Sequence, residues 1–302
     1  MIDDSKSDII SAKKILSRHG KSFYWASLFL GSKLAANAAQ LYQFCRFVDD
    51  LADGDLPKRQ ESLHDIRARL GGDSQLGGVE IEDFLQLATE NNIPLIAAQE
   101  LLDGMLSDQT PAAFKDEAEL LRYCHAVAGT VGLMMCRVLN CKEKRAQSFA
   151  IDLGIAMQLT NIARDVLEDA QMGRRYLPAS WVNMSAAEIA DMDIACYEPV
   201  AIALERTLNL AEKYYESALL GIQLLPFRSR FSITVALRVY RQIGVLLKRR
   251  HLRWWLGRVY VKTPEKALLS LRSILDLMPL KVPAHKRNLH QHLKGLAGVI
   301  CS

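Results

Sequence analysis

The chain of 302 residues has no stretch of about 18 uncharged apolar residues, the length that a membrane-spanning helix needs. Its first six residues, Met1 to Lys6, include two aspartates and contain no apolar core segment. We therefore expect no signal peptide and no transmembrane segment. These two absences favour a soluble or peripheral protein.

Cysteine spacing and net charge exclude further classes. The six cysteines form no Cys-x-x-Cys pair and show no spacing typical of a metal site. Several lie in apolar helical segments, which favours reduced, packed thiols and a cytoplasmic protein. The formal net charge of +4 is too small to argue for nucleic-acid binding.

Strand patterns are also lacking. No stretch of useful length alternates apolar and polar residues, and no repeat of fixed period is present. The sequence has neither a Gly-x-Gly-x-x-Gly motif after a strand nor a Walker-type phosphate loop, which argues against a Rossmann fold or a nucleotide triphosphatase. Since composition does not shift along the chain, we predict one all-α domain over residues 1–302.

Apolar residues recur at helical spacing along most of the chain. The pattern predicts helices over 8–19, 32–53, 58–70, 79–91, 94–107, 116–140, 143–169, 185–192, 196–223, 228–250 and 263–276, with a weak terminal helix over 285–299. Gly54 to Pro57 should end the helix over 32–53.

The most informative stretch is an apolar helical segment from Leu159 to Asp169. Asn161, Asp165 and Asp169 follow each other at intervals of four, and Gln158 precedes Asn161 by three. Residues three and four apart share one helix face, so these four side chains form a polar stripe. Two carboxylates beside an amide oxygen suit a hard, oxygen-binding cation and not zinc.

A second acidic pair lies far upstream on another apolar helix. Asp49 and Asp53 repeat the interval of four, and Tyr42 and Arg46 continue the same face. Carboxylates buried on two helices repel each other strongly unless cations lie between them. This arrangement predicts magnesium shared with a negatively charged ligand such as a diphosphate.

Two glycine-containing segments leave alternatives open. The segment His19 to Phe23 is either a phosphate-facing turn, because glycine exposes backbone donors, or an ordinary turn between helices. Gly129 and Gly132 each cost about 1 kcal/mol relative to alanine inside a helix. Something must therefore approach the backbone closely there, either a neighbouring helix or a ligand.

Several blocks together resemble one known family, the head-to-head prenyl synthases that make phytoene, squalene and dehydrosqualene. These blocks are the two Asp-x-x-x-Asp helices, residues 123–132 and residues 158–178. The resemblance runs from about Ser17 to about Lys266. The runs at 132–135 and 173–181 most resemble the bacterial phytoene synthases of that family.

The resemblance implies an isoprenoid-synthase bundle of helices around a central apolar cavity. It also implies a transferase of carotenoid biosynthesis, which condenses two geranylgeranyl diphosphates to phytoene through a cyclopropyl diphosphate and releases diphosphate. The alternative in the family is squalene or dehydrosqualene synthesis from farnesyl diphosphate. Squalene also requires a hydride from NADPH, for which the sequence has no recognisable site.

The site residues follow from the resemblance, position by position. It implies Mg²⁺, with Mn²⁺ as the alternative, held by Asp49, Asp53, Asn161, Asp165 and Asp169. It implies substrate contacts from His19, Gly20, Lys21, Ser22, Tyr42, Arg46, Gln158, Arg164, Tyr176, Tyr240 and Arg258. The catalytic set is Asp49, Asp53, Asp165, Asp169, Tyr42, Arg46 and Tyr123. Gly20 stands where some relatives have serine, so one hydroxyl contact is missing there.

The chemistry requires that a carbocation be kept from water by an apolar wall. The predicted wall residues are Val131, Leu133, Met134, Met135, Ile155 and Met157, with ordinary core packing as the alternative. The predicted cation-stabilising rings are Phe23, Tyr42, Tyr123 and Tyr176. The base that removes the last proton is either the released diphosphate or a tyrosine hydroxyl.

For several other polar residues, a structural or solvated role is the alternative to a role in binding or catalysis. Arg46 and Arg164 could be simple ion-pair partners. Asp50 and Glu168 could be solvated, or could hold the metal ligands in place, rather than bind a metal themselves. His64, His251 and His285 are expected at the surface.

The basic segment 248–255, which ends in Trp254 and Trp255, is either a contact for an anionic membrane or a solvated helix end. We expect no nucleic-acid partner, and the sequence carries no signal for an oligomeric state. A catalytically inactive scaffold would have lost the acidic pairs, and a simple lipid-binding protein would bind prenyl diphosphate without magnesium.

Overall fold

A computed structural model describes residues 2–54, 58–73, 75, 78–109, 113–278 and 281–300. The predicted all-α class is confirmed, and within these ranges the one strand-like pairing is an isolated bridge between Ala113 and Arg175. The helices are α1 (Ile2–His19), α2 (Lys21–Ser27), α3 (Ser32–Asp53), α4 (Arg59–Gly71), α5 (Val79–Asn91), α6 (Leu95–Ser107), α7 (Glu117–Cys124), α8 (Thr130–Val138), α9 (Ala146–Arg164), α10 (Val166–Gln171), α11 (Ala186–Ala190), α12 (Ile194–Gly221), α13 (Phe227–Arg249) and α14 (Thr263–Arg272). Among the described helices, none combines the length and apolar content that crossing a bilayer requires.

Two predicted helices are interrupted. The helix predicted over 116–140 contains a π-helical turn at His125–Gly129 between α7 and α8. The helix predicted over 143–169 breaks at Asp165, whose φ of −105° and ψ of 12° separate α9 from α10. The Asp169 N–H still donates to the Asp165 carbonyl at 2.8 Å, so the polar stripe continues across the break. Gly54 caps α3 as predicted, while residues 55–57 lie outside the described ranges.

Helices α8 and α9 pack against each other with their backbones in contact. A Cβ atom added to Gly132 would overlap the carbonyl of Ala150, and one added to Gly154 would overlap the carbonyl of Ala128. A neighbouring helix, the first of the two alternatives, therefore accounts for Gly132.

The predicted helix over 285–299 is wrong. These residues form a short 3₁₀ turn at Arg287–His290 followed by further turns, and Gly295 and Gly298 have φ values of +85° and +72°. Such values do not occur within a right-handed helix. We call residues 281–300 the C-terminal strap.

Side chains of the bundle satisfy the backbone of the C-terminal strap. Arg145 donates to the carbonyls of Val282 and Pro283 at 3.0 Å each, and Arg122 donates to the carbonyl of His292 at 3.0 Å. Because these carbonyls are bonded by side chains of the bundle, the strap lies on the bundle with no regular structure beyond its short 3₁₀ turn in the described residues.

A buried carboxylate on α9 holds the C-terminal strap. Asp152 is fully buried, and its two oxygens lie 2.8 Å from Nε2 of His285 and 2.7 Å from Nε2 of His290. Ser217 donates a third hydrogen bond at 2.5 Å. Burial raises the pKa of the Asp152 carboxyl, but the hydrogen bonds from the two histidines outweigh burial and lower it.

The surface prediction for His285 is therefore wrong, whereas His64 and His251 are exposed as expected. Asp152, His285 and His290 have ligand types that can hold a metal ion. In this arrangement the carboxylate oxygens already accept hydrogen bonds directly, so the group acts as a clamp between α9 and the strap.

Candidate active site

A cavity of about 540 Å³ lies among α2, α3, α8, α9, α12 and α13. Its wall follows α9 from Ala146 to the α9 cap at Asp165, about 28 Å at 1.5 Å per residue. Near Asp165 the wall is polar, and it carries Tyr42, Arg46, Asp49, Asp53, Gln158, Asn161, Arg164, Asp169, Arg174, Tyr176 and Tyr240. Near Ala146 it is apolar, and it carries Leu30, Leu139, Phe149, Ile222 and Leu225.

The fold brings the two acidic pairs to the same end of this cavity. Asp49 and Asp53 come from α3, and Asp165 and Asp169 come from the junction of α9 and α10. Among the described residues, however, these carboxylates do not form a group of three whose oxygens lie within 4.8 Å of one another.

Arginines neutralise the carboxylates. Arg46 Nη1 lies 3.0 Å from Asp49 Oδ2, and Arg46 also pairs with the exposed Asp50. Asp165 pairs with Arg164 at 2.6 Å and with Arg258 at 2.8 Å. Arg46 and Arg164 are thus ion-pair partners that also line the cavity.

Burial and mutual repulsion disfavour full ionisation of the acidic pairs. Burial, followed by the charge of Asp53, raises the pKa of Asp49 to about 6. Burial, followed by the charge of Asp165, raises the pKa of Asp169 to about 8. Carboxylates in this state gain from a nearby cation, which restores their charged form.

Two buried oxygens test whether the site fits a metal. Asn161 Nδ2 donates to Gln158 Oε1 at 3.2 Å, which leaves Asn161 Oδ1 buried without a hydrogen-bond partner. Glu168 Oε2 is also buried without a partner, but Glu168 is not part of the described cavity wall. The unpartnered amide oxygen of Asn161, beside the acidic side chains, fits a hard divalent cation such as Mg²⁺.

Most predicted substrate-contacting residues line the cavity, but five do not. Arg258 reaches the site through its ion pair with Asp165. His19 and Lys21 are exposed, Ser22 is half-buried, and none of these three is part of the described wall.

Gly20 is buried under the Tyr42 ring, whose Cζ lies 3.0 Å from the position of a Gly20 Cβ. It makes the close turn from α1 into α2, and the predicted substrate contacts of this segment stay a prediction.

Aromatic rings surround the polar end. The ring of Phe23 lies 5.0 Å from that of Tyr240 and 6.2 Å from that of Tyr42. Tyr123 and Tyr176 stack at 5.1 Å. All five rings line the cavity, where their faces can stabilise a cation.

Sequence reasoning missed two charged residues at the site. Tyr123 Oη donates to Asp108 Oδ2 at 2.7 Å, and burial raises the pKa of Asp108 to about 6. Arg174 pairs with Asp53 at 2.7 Å. Asp108 follows α6 and resembles an ordinary helix end. Arg174 stands in the run 173–181 that carries the family resemblance, but neither its type nor its spacing indicated a role at the site.

The predicted apolar wall is half right. Val131, Met135 and Met157 line the cavity, whereas Leu133, Met134 and Ile155 are buried in the core outside it.

The tryptophans of segment 248–255 are also packed. Trp254 is buried, and Trp255 stacks on Tyr197 at 4.0 Å, so neither is an exposed anchor.

Comparison with known proteins agrees with this geometry. The sequence profile of the squalene/phytoene synthase family matches residues 16–265. The 15-cis-phytoene synthase of Pantoea ananas is 34% identical over 286 residues, which cover 88% of this chain and 90% of that protein. The 15-cis-phytoene synthase of a Paracoccus species is 34% identical over 252 residues, which cover 80% and 82%.

Solved structures share the fold. A ligand-bound dehydrosqualene synthase superposes with a TM-score of 0.77 at 24% identity, covering 91% of this chain and 98% of that one. The squalene synthase HpnC of Alicyclobacillus acidocaldarius superposes with a TM-score of 0.72 at 19% identity, covering 83% and 96%.

Proposed function

Because the chain belongs to the squalene/phytoene synthase family, we propose that it condenses two geranylgeranyl diphosphates head to head to phytoene through a cyclopropyl diphosphate. Identities of 32–34% to curated 15-cis-phytoene synthases over most of the chain support this assignment within carotenoid biosynthesis. Both acidic pairs of the family are intact, which argues against an inactive scaffold.

One observation carries the proposal: two acidic pairs from distant helices lie at one end of a long apolar cavity. The charged end suits diphosphate groups and the apolar part suits prenyl chains. A simple lipid-binding protein would need the apolar part but not the paired carboxylates.

Five residues would hold magnesium, with manganese as the alternative: Asp49, Asp53, Asn161, Asp165 and Asp169. A divalent ion held there would supply Lewis-acid neutralisation of the departing diphosphate oxygens. Arg46, Arg164 and Arg258, which pair with these carboxylates here, are placed to donate to the same oxygens.

The remaining residues protect and direct the carbocation. The apolar wall excludes water, and the faces of Phe23, Tyr42 and Tyr240 stabilise positive charge. Of the two candidate bases, we favour the Tyr123 hydroxyl. It would take a proton from carbon and pass its own to Asp108, 2.7 Å away.

The alternative is a synthase that uses farnesyl diphosphate. Purified protein incubated with Mg²⁺ and either diphosphate, followed by mass spectrometry of the hydrocarbon, separates the two. We expect a C40 hydrocarbon from geranylgeranyl diphosphate. A C30 hydrocarbon formed faster from farnesyl diphosphate would reverse the assignment of the substrate. If neither diphosphate gave a hydrocarbon, the proposed enzymatic activity would be refuted.

We also propose that residues 1–302 form one domain and that the enzyme works in the cytoplasm. The five described cysteines support the second point, because none of them forms a disulfide.

A further inference from the structure

An exposed apolar stripe runs along α14 and the turn that follows it. Leu268, Leu271, Leu275 and Met278 recur at intervals of three or four and are all exposed, with 66% of the Leu271 residue surface and 72% of the Leu275 residue surface accessible. Ile274, beside them, is also exposed. Large apolar side chains in such a row mark an interaction surface on a protein.

Helix α2 extends this stripe. Trp25 Nε1 donates to Ser270 Oγ at 3.0 Å, which places α2 directly beside α14. From α2 and its end, Tyr24 and Leu28 are exposed, Leu28 at 58%.

The start of α13 continues the same surface. The Phe29 and Phe231 rings lie 5.0 Å apart and join the end of α2 to α13, where Phe227 is 66% exposed. Gln223 donates to the carbonyl of Asp276 at 2.7 Å and ties the turn after α14 to the same place. We call the exposed apolar side chains of these three elements the apolar face: Tyr24, Leu28, Phe227, Leu268, Leu271, Ile274, Leu275 and Met278.

The wall between the apolar face and the cavity is thin. On α2 and the residues just after it, Tyr24 and Leu28 point to the outside while Phe23, Ala26 and Leu30 line the cavity. Likewise Leu225 lines the apolar end of the cavity two residues before the exposed Phe227. The apolar end of the cavity therefore lies directly behind the apolar face.

Positive charge surrounds the apolar face. On α2, α14 and the first turn of α13 the exposed charged residues of the described chain are basic: Lys21, Arg228 and Arg272. Three more exposed lysines lie just outside these elements, Lys33 at the start of α3, Lys262 before α14 and Lys281 in the C-terminal strap. The two acidic residues there are engaged internally, Asp276 with Arg238 and Glu265 with Gln242. An apolar surface with a basic rim is complementary to an anionic lipid headgroup layer.

We propose that the apolar face docks on the surface of an anionic phospholipid bilayer and that α2 is the wall through which the hydrocarbon product passes to the lipid. Passage of the product past α2 to the lipid rests on the proposed function, since a water-insoluble hydrocarbon needs an apolar acceptor. The basic segment 248–255 has its tryptophans packed and lies at the far end of α13 from Phe227, so it is not part of the apolar face.

Vesicle flotation tests the docking surface. We compare the full-length protein on phosphatidylcholine vesicles with and without phosphatidylglycerol, using the double variant Leu271→Glu with Leu275→Glu. The matched control is Ile194→Glu with Ile202→Glu, two exposed apolar residues on α12, Ile194 at 81%. We expect wild type and control to float with the anionic vesicles, and the double variant to bind about tenfold more weakly because two apolar contacts are lost.

Three results would overturn the proposal. They are no flotation of the wild type, equal flotation of the double variant and the wild type, or a light-scattering mass showing a dimer that the double variant dissociates. The last result would make the apolar face a contact between two copies of the chain.

Hydrocarbon formation in detergent micelles is measured in parallel and should be equal in all proteins. Its absence in all of them would refute the proposed function without affecting the flotation result.

Discussion

At Asp165 two guanidinium groups meet one carboxylate. Arg164 and Arg258 both pair with it, although Arg258 stands 93 residues away in the sequence. The same carboxylate ends α9 and is part of the polar stripe. Asp165 therefore connects the oxygen atoms that would bind a metal ion with the two arginines that would contact diphosphate.

Replacing Asp165 by alanine should abolish turnover without unfolding the protein. The change removes a predicted ligand and leaves two arginines unpaired at a half-buried site, so we expect a loss of about 10³-fold or more in hydrocarbon formation. Circular dichroism should remain unchanged. The control is Asp191→Ala, because Asp191 is exposed and follows α11. A normal hydrocarbon yield from Asp165→Ala would contradict the proposed mechanism.

Asp108 should make the protein less stable as pH rises. Its pKa is raised from 3.8 to about 6 by burial, so unfolding releases a proton between these values and stability falls through that window. Asp108→Asn should thus be more stable than the wild type at pH 7 by about 1–2 kcal/mol. Denaturant unfolding measures the difference, which should vanish near pH 4. A difference of the same size at both pH values would contradict this assignment.

Among the elements, α9 packs with its backbone against α8 and against the π-helical turn that precedes α8. Gly132 on α8 lets the Ala150 carbonyl of α9 approach, and Gly154 on α9 lets the Ala128 carbonyl of the π-helical turn approach. The C-terminal strap then covers the outside of the same helices, and Gly298 lies against Leu133 and Ile151. Helix α9 is thus packed on one side by backbone contacts and held on another by the Asp152 clamp.

Gly154→Ala should destabilise the protein by about 3 kcal/mol, because the added methyl group meets a rigid backbone carbonyl rather than a mobile side chain. Gly244→Ala on α13 is the matched control. Its nearest neighbour is the flexible tip of Leu208 at 3.1 Å, so the cost should stay below about 1 kcal/mol. Chemical denaturation compares the two variants, and equal losses of stability would refute the role of the contact between α9 and the π-helical turn.

Asp152→Asn should destabilise the protein by about 3 kcal/mol, since it breaks a buried group bonded to two histidines and a serine. Hydrogen exchange should also speed up in the C-terminal strap, which Asp152 holds through His285 and His290. Asp191→Asn is the exposed control. Unchanged exchange in the strap would show that other contacts hold it.

For the whole molecule, the length of the cavity decides which substrate fits. The wall runs the length of α9, and Ala150 is half-buried near its apolar end. A residue that is small and partly accessible inside a helical bundle borders open space. Chain length should therefore depend on side-chain size at this position.

Ala150→Phe should shorten the cavity and shift specificity toward the shorter substrate. We expect the rate with geranylgeranyl diphosphate to fall about tenfold or more, while the rate with farnesyl diphosphate changes little. Ala187→Phe, on the exposed α11, is the control. Product analysis with each substrate measures the ratio, and parallel loss with both substrates would contradict a role in chain length.

Local periodicity alone determined much of this protein. The helix of the first acidic pair was predicted with its observed bounds, Ser32–Asp53, because apolar spacing and a terminal glycine act within a few residues. The polar stripe from Gln158 to Asp169 was predicted for the same reason. The two acidic pairs could be expected to meet, because buried carboxylates on separate helices need a shared cation.

Only the tertiary structure decided the rest. Asp152 meets His285 and His290 across 133 and 138 residues, and Tyr123 reaches Asp108 across a turn between two helices. Helical spacing also could not separate Met135, which faces the cavity, from Met134, which faces the core. Such contacts depend on how whole helices pack, and packing is set by the sum of many distant surfaces rather than by any local pattern.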